Sequence, residues 1–310
     1  VKVGIIGLGN MGEQIARAIA RAGFKTHLYD VRPETVERLA SEENMVGCSS
    51  VKELAQESDA IGVVVLNEAQ VASVADEVVA TGLPRTLIIH STVTPAFVQE
   101  LAAAVAPAGV KVIDATVAGG VARAKTGQLT VMVGGDDATV GSVREVLEAI
   151  ARDVFVVGPA GAGSAMKLAV NFMTISSYAL EMEAMEFVRA HGISEDALSS
   201  VLTTSSADSR AVRTWGFHDR LRRSAPPGTA PSQVVMRKDV SSFARAGARA
   251  GSLMPLATIA AETLLPKIAE RDAYLDSLGE IDAVPRCARC TLELIPPFRE
   301  AGAHPECADI

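Results

Sequence analysis

The chain has 310 residues, 48% of them hydrophobic, which is enough to bury a sizeable core and to divide into two domains. Against 29 Lys and Arg stand 37 Asp and Glu, a net charge of −8 with no basic cluster to offset it, so nucleic acid and membrane surfaces are excluded as partners. The longest apolar runs, such as IGVVVL (61–66), are strand-sized and far short of the roughly 20 residues that cross a bilayer, and with no signal-peptide pattern the expected location is cytoplasmic.

Short β-branched apolar runs alternate with amphipathic segments along the first half, the rhythm of a parallel sheet covered by helices. Strands are predicted at KVGIIG, THLYD, AIGVVVL, TLIIHS, VKVIDA, LTVMVGG and DVFVVG, which carry an α/β domain to about residue 160. The first strand runs straight into Gly7-Leu8-Gly9-Asn10-Met11-Gly12 and then a helix. In this pattern Gly7 allows a tight turn, Gly9 lets backbone approach a pyrophosphate, and Gly12 lets helix and strand pack closely. The helix N-terminus supplies unpaired amides and partial positive charge for the phosphates.

Asp30 ends the next strand at the distance expected of a carboxylate that accepts the ribose 2′-hydroxyl. A carboxylate there repels the 2′-phosphate of NADP, so NAD is the favoured cofactor. Arg32 leaves two options open, since its guanidinium can pair with Asp30 or grip that phosphate. Further along, DATVAGG places Ala118, Gly119 and Gly120 just beyond a strand, where bare backbone amides can hold a carboxylate.

Past the glycine-rich turn at 158–163 the pattern becomes helical. MKLAVNFMTISSYALEMEAMEFVRAHG keeps apolar residues at 3 to 4 spacing for over twenty residues and ends at a glycine. Lys167 and Asn171, four apart, share one face of this helix. Lys238 and Asp239 follow in MRKDV, and helical periodicity continues to about 284. Trp215, Phe217 and Phe243 are candidate pocket aromatics, although aromatics among helices more often belong to a core.

With these motifs in order, from Val1 to about Leu265, the chain resembles the β-hydroxyacid dehydrogenases, the family of 3-hydroxyisobutyrate dehydrogenase, tartronate semialdehyde reductase and, more distantly, 6-phosphogluconate dehydrogenase. The resemblance implies a Rossmann domain with a doubly wound parallel sheet, then an all-α domain whose long central helix lines the active site and helps form a homodimer or homotetramer. It makes Lys167 the catalytic lysine and Asn171 its substrate-orienting neighbour, gives the Ala118–Gly120 loop the substrate's acid group, and sets Leu66, Thr92 and Lys238 against the cofactor. It departs from the family's Asp-Ala-Pro-Val-Ser-Gly-Gly at Thr116, for proline, and at Ala118, for serine. Ala118 has no hydroxyl, so binding of the acid group falls to backbone amides and other side chains.

The chemistry of the residues agrees. Oxidation of an alcohol by NAD needs a hydride acceptor, the cofactor, and a base for the hydroxyl proton. A lysine of ordinary pKa is neutral only about one part in a thousand near neutral pH, so Lys167 as base calls for burial or a nearby cation, whereas as the acid of the reverse reaction it does not. The implied substrate is a small 3-hydroxy acid or its semialdehyde or keto form. An imine reductase shares the scaffold but places another residue at the lysine position. A nucleotide-binding sensor is the competing reading of a different class.

The tail is a third segment, 285–310. Cys287, Cys290, His304 and Cys307 fall in the pattern C-x2-C-x13-H-x2-C, two close pairs separated by a loop. That spacing suits a closed Cys3His zinc site that stabilises an extension too small for its own core, a zinc-knuckle-like tail with structural Zn2+. The alternative is free thiols on a loose tail.

Overall fold

The computed structural model describes residues 1–216, 218, 219 and 232–277. Cys287, Cys290, His304, Cys307 and Phe217 lie outside the described residues. The chain divides into two compact units, the first being Val1–Leu168 and the second beginning at Ala169.

The first unit is one eight-stranded sheet. Its strands are β1 (Val3–Ile6), β2 (Thr26–Tyr29), β3 (Met45–Gly47), β4 (Ala60–Val63), β5 (Thr86–Ile89), β6 (Lys111–Ala118), β7 (Leu129–Gly134) and β8 (Ala151–Gly158), in spatial order β3-β2-β1-β4-β5-β6-β7-β8. The connecting helices are α1 (Asn10–Arg21), α2 (Pro33–Ala40), α3 (Val51–Glu57), α4 (Glu68–Val79), α5 (Pro95–Val105), α6 (Gly120–Lys125), α7 (Asp137–Ser142) and α8 (Arg144–Ile150). Both faces of the sheet are covered, which is why its strands read as continuous apolar runs rather than alternating ones. Val3, Ile5 and Ile88 point into the core beneath α1 and α8, while Ile6, Leu87 and Ile89 point into the opposite core beneath α3, α4 and α5. Several helices begin on a side chain that caps a backbone amide, as Asn67 does for Gln70 and Thr94 for Phe97.

Two features differ from the sequence reading. β3 has three residues, too few to leave a periodic signal, and it pairs in parallel with β2. β7 runs antiparallel to β6, and β8 is parallel to β7, so the last two strands oppose the first six. The reason lies in the connection. A right-handed crossover between parallel neighbours takes about a dozen residues or more, and the stretch from Gly119 to Gln128 holds little more than the short helix α6.

The long helix α9 (Ala162–Ala190) follows β8 and closes at Gly192, whose φ of 74° suits glycine. The second unit then adds α10 (Glu195–Leu202), α11 (Arg210–Arg213) and two long helices, Ser232–Arg249 and Pro255–Ser277. Ile175, Tyr178, Met182 and Met185 of α9 pack with Val240, Ala257, Leu264 and Ile268 in one core. Trp215 and Phe243 belong to this core: Trp215 donates through Nε1 to Glu195, 2.9 Å away, and Phe243 stacks on Phe172 with ring centroids 4.5 Å apart. Beneath them Arg271 is buried against Asp219 and Glu195, and Tyr178 donates to Asp219 at 2.6 Å, so these three charges are paired. No described helix is long and apolar enough to cross a membrane.

Candidate active site

In the sheet the chain turns one way from β1 to β2 and β3, and the other way to β4 and β5, so the topological switch point lies between β1 and β4. A crevice at the C-terminal ends of these strands is where open α/β sheets bind dinucleotides. The glycine loop stands there, and each glycine meets a different constraint. Gly7 has φ 92°, and a Cβ on it would lie 2.2 Å from the Val64 carbonyl oxygen. A Cβ on Gly12 would sit 1.9 Å from the Gly7 carbonyl oxygen, so α1 can approach β1 only with glycine at that position. At Gly9 a Cβ would meet nothing within 4 Å. That open space beside the backbone, at the start of α1, fits a pyrophosphate. Gly9 is the N-cap and no side chain caps the helix, which leaves the amides of its first turn, at Asn10 and Met11, for phosphate oxygens.

Asp30 stands at the end of β2, nine-tenths buried. Its carboxylate accepts the Leu8 amide at 2.7 Å and the Arg32 amide at 2.9 Å, and the Arg32 Nε donates to it at 3.0 Å. Burial opposes the charge on Asp30, but the hydrogen bonds from Arg32 and from the two amides outweigh it and hold the carboxyl below its ordinary value. Of the two options open to Arg32, the structure therefore has the pair with Asp30. Leu66, just past β4, is 62% exposed, and Val31, beside Asp30, is 84% exposed. Two large exposed apolar side chains at the ends of β4 and β2 suit the walls of a nucleotide crevice. The family resemblance points to Leu66, whereas a lone valine after a strand, Val31, carries no signal in the sequence. Thr92 lies in the loop past β5.

β6 ends in the Ala118–Gly120 loop. Gly119 has φ 128° and Gly120 has φ 70°, and both are exposed. A Cβ on Gly119 would press on the Arg123 side chain at 2.9 Å, whereas one on Gly120 would meet nothing. The backbone at Gly119 and Gly120 is thus bare.

On α9, Lys167 and Asn171 stand one turn apart. Asn171 Nδ2 donates to Asp239 Oδ2 at 2.7 Å, and Lys238 Nζ lies 3.2 Å from Asp239 Oδ1. Asp239 is buried. In the sequence Asp239 stands out only as the neighbour of Lys238. Its hold on Asn171 joins residues 68 apart in the chain, and no local pattern encodes that. Among the described residues there is no cluster of His, Cys, Asp and Glu that could hold a metal ion.

Fold and site together define a dinucleotide-binding oxidoreductase. Residues 2–158 match the family model for the NAD binding domain of 6-phosphogluconate dehydrogenase, and residues 161–278 match that for the NAD-binding region of NADP-dependent 3-hydroxyisobutyrate dehydrogenase. The L-threonate dehydrogenase of Cupriavidus necator is 37% identical over 224 residues, 71% of this chain and 73% of that protein. The mitochondrial 3-hydroxyisobutyrate dehydrogenase of Drosophila melanogaster is 31% identical over 246 residues, 79% of this chain and 73% of that protein. Among solved structures, the 3-hydroxyisobutyrate dehydrogenase of Mycobacterium tuberculosis with L-serine superposes with a TM-score of 0.73 at 27% identity, over 86% of this chain and 94% of that one. The chain belongs to the β-hydroxyacid dehydrogenase family, and it is an NAD(P)-dependent dehydrogenase of hydroxy acids.

Proposed function

We propose that the enzyme oxidises the hydroxyl-bearing carbon of a small 3-hydroxy acid with NAD, Lys167 taking the hydroxyl proton. The observation that carries this reading is the arrangement on α9: a lysine and an amide one turn apart, the amide fixed by a buried carboxylate. When bound, the nicotinamide ring supplies the hydride acceptor. Lys167 receives the proton as the carbonyl forms and returns it in reduction. Asn171, with its amide held by Asp239, orients the hydroxyl. The Ala118–Gly120 backbone holds the acid group, and Lys238 and Thr92 line the cofactor's nicotinamide end. NAD rather than NADP is supported by Asp30, a buried carboxylate where a 2′-phosphate would have to sit.

Relatives named for L-threonate and 3-hydroxyisobutyrate, and a neighbour solved with L-serine, suggest the substrates to try first. Initial rates of NADH and NADPH formation at about 340 nm, the reduced nicotinamide band, across 3-hydroxy acids test the reading. Turnover with NAD supports it. Tight NADH binding with no turnover of any 3-hydroxy acid favours the sensor reading instead.

Two further elements belong to this proposal. Met166, Met173, Leu180 and Phe187 recur every seven residues on α9 and are all exposed, with Val170, Ser177 and Ala184 each four positions later. This is the a/d spacing of a helix-packing seam, and it supports at least a homodimer. Leu180→Glu should then lower the mass measured by light scattering. The tail cysteines and His304 would hold one structural zinc, so a metal assay should find about one zinc per chain, the capacity of a single Cys3His site, and Cys290→Ser should remove it.

A further inference from the structure

β6 presents Asp114, Thr116 and Ala118 at alternate positions, on one face of the strand. Ala118 opens the acid-group loop. The other two reach the start of the helix that carries Lys167. Asp114 is fully buried, and its carboxylate accepts the Gly161 amide at 2.8 Å through Oδ1 and the Ser164 amide at 2.5 Å through Oδ2. Thr116 is also fully buried, and its hydroxyl donates to the Gly163 carbonyl oxygen at 2.9 Å. One strand thus grips three points at the start of α9, at 161, 163 and 164.

The surrounding backbone is built to let it do so. A Cβ on Gly163 would lie 2.5 Å from the Met132 carbonyl oxygen and 2.8 Å from that of Asp114, and a Cβ on Gly134 would lie 2.4 Å from Asp114 Oδ1. Glycine at both positions lets β6, β7 and the helix start close around the carboxylate. Lys167 follows Ser164 by less than one turn, inside the same compact unit as β6.

We propose that Asp114 and Thr116 are positioning residues that set Lys167 in register with the Ala118–Gly120 loop, so that proton transfer and acid-group binding are referred to one strand. The inference rests on Lys167 being the proton-transfer group. It also explains the threonine at 116: a proline there could have filled the space but could not have donated to Gly163. A small misplacement of a catalytic group can cost a large factor in rate while leaving ligand binding nearly intact.

The test is a comparison of Thr116→Val, which keeps the shape and removes the hydroxyl, with Thr116→Ser, which restores it. The expected result for T116V is a kcat reduced about tenfold or more, with the Kd for NADH by fluorescence titration within about twofold of the parent. T116S should recover most of the lost rate. Asp114→Asn, which keeps one acceptor oxygen and sets an NH2 against an amide donor, should lower kcat further without weakening NADH binding, and it serves if T116V does not fold. A T116V protein of lower Tm but unchanged kcat would overturn the proposal, as would a T116S protein as slow as T116V. Lys167→Ala assayed in parallel separates the two claims: if it keeps full activity the role of Lys167 itself falls, whereas an inactive K167A with a fully active T116V and D114N overturns the positioning role alone.

Discussion

Asn171 on α9 and Asp239 on the helix Ser232–Arg249 are joined by a 2.7 Å hydrogen bond from Nδ2 to Oδ2, and Asp239 is buried. A carboxylate accepts and cannot donate, so the bond fixes which way the Asn171 amide is turned and leaves its oxygen on the opposite side. Asp239→Ala should therefore lower kcat about ten- to a hundredfold while leaving the KM for NAD little changed. Because the two residues act as a unit, Asn171→Ala added to D239A should cost little more, and steady-state kinetics on the four proteins of the cycle check this.

Lys167→Ala should lower kcat by about 10²- to 10⁴-fold, the usual worth of a positioned acid–base group. NADH binding should survive, since the residues proposed to hold the phosphates and the ribose are the glycine loop and Asp30 rather than Lys167. Partial recovery of the rate by small primary amines added to K167A, against none with K167A in amine-free buffer, would mark the missing group as a proton carrier.

Asp30, the residue proposed to favour NAD, also accepts the Leu8 amide. Asp30→Ala removes the carboxylate that disfavours a 2′-phosphate and frees Arg32 from its pair. The ratio of kcat/KM for NADP over NAD should rise at least about tenfold, or about 1.4 kcal/mol. Some stability should be lost too, on the order of 1 to 3 kcal/mol, because the Leu8 amide loses its acceptor in a buried site. Kinetics with both cofactors and a urea melt read the two effects separately.

Glu181 gives a stability test that does not involve the chemistry. It is buried on α9; its Oε1 is 3.4 Å from the Ser209 hydroxyl, and among the described residues its Oε2 has no hydrogen-bond partner. Burial pushes the carboxyl up to about 7, from an ordinary value of 4.5. A folded value above the unfolded one means that the folded state holds the proton more tightly. The contribution is fully present below about 4.5 and is lost as the pH rises through about 7. Glu181→Gln, which stays neutral, should then raise Tm at pH about 8 and change it little at pH about 4.5, with a gain of at most a few kcal/mol. An equal gain at both values would show that Glu181 titrates alike in the folded and unfolded states.

What is encoded locally can be read from the chain alone. Gly7 and Gly12 announce a nucleotide turn because backbone that must adopt positive φ or lie against a neighbouring carbonyl leaves no room for a side chain, Gly9 keeps the space beside the helix start open, and glycine spacing survives in the chain as a readable mark. The long apolar periodicity of α9 and the Lys167–Asn171 pair are legible for the same reason, since helical neighbours are neighbours in sequence. The remaining features arise only when distant segments meet in the fold. The reversal of β7 and β8 follows from a connection too short for a crossover, and the pairing of Arg32 with Asp30 was one of two geometries open to a guanidinium. The grip of Asp114 on Ser164 and of Asp239 on Asn171 joins residues 50 and 68 positions apart. A buried carboxylate must find donors wherever the fold brings them, and the sequence records the carboxylate without recording the donor.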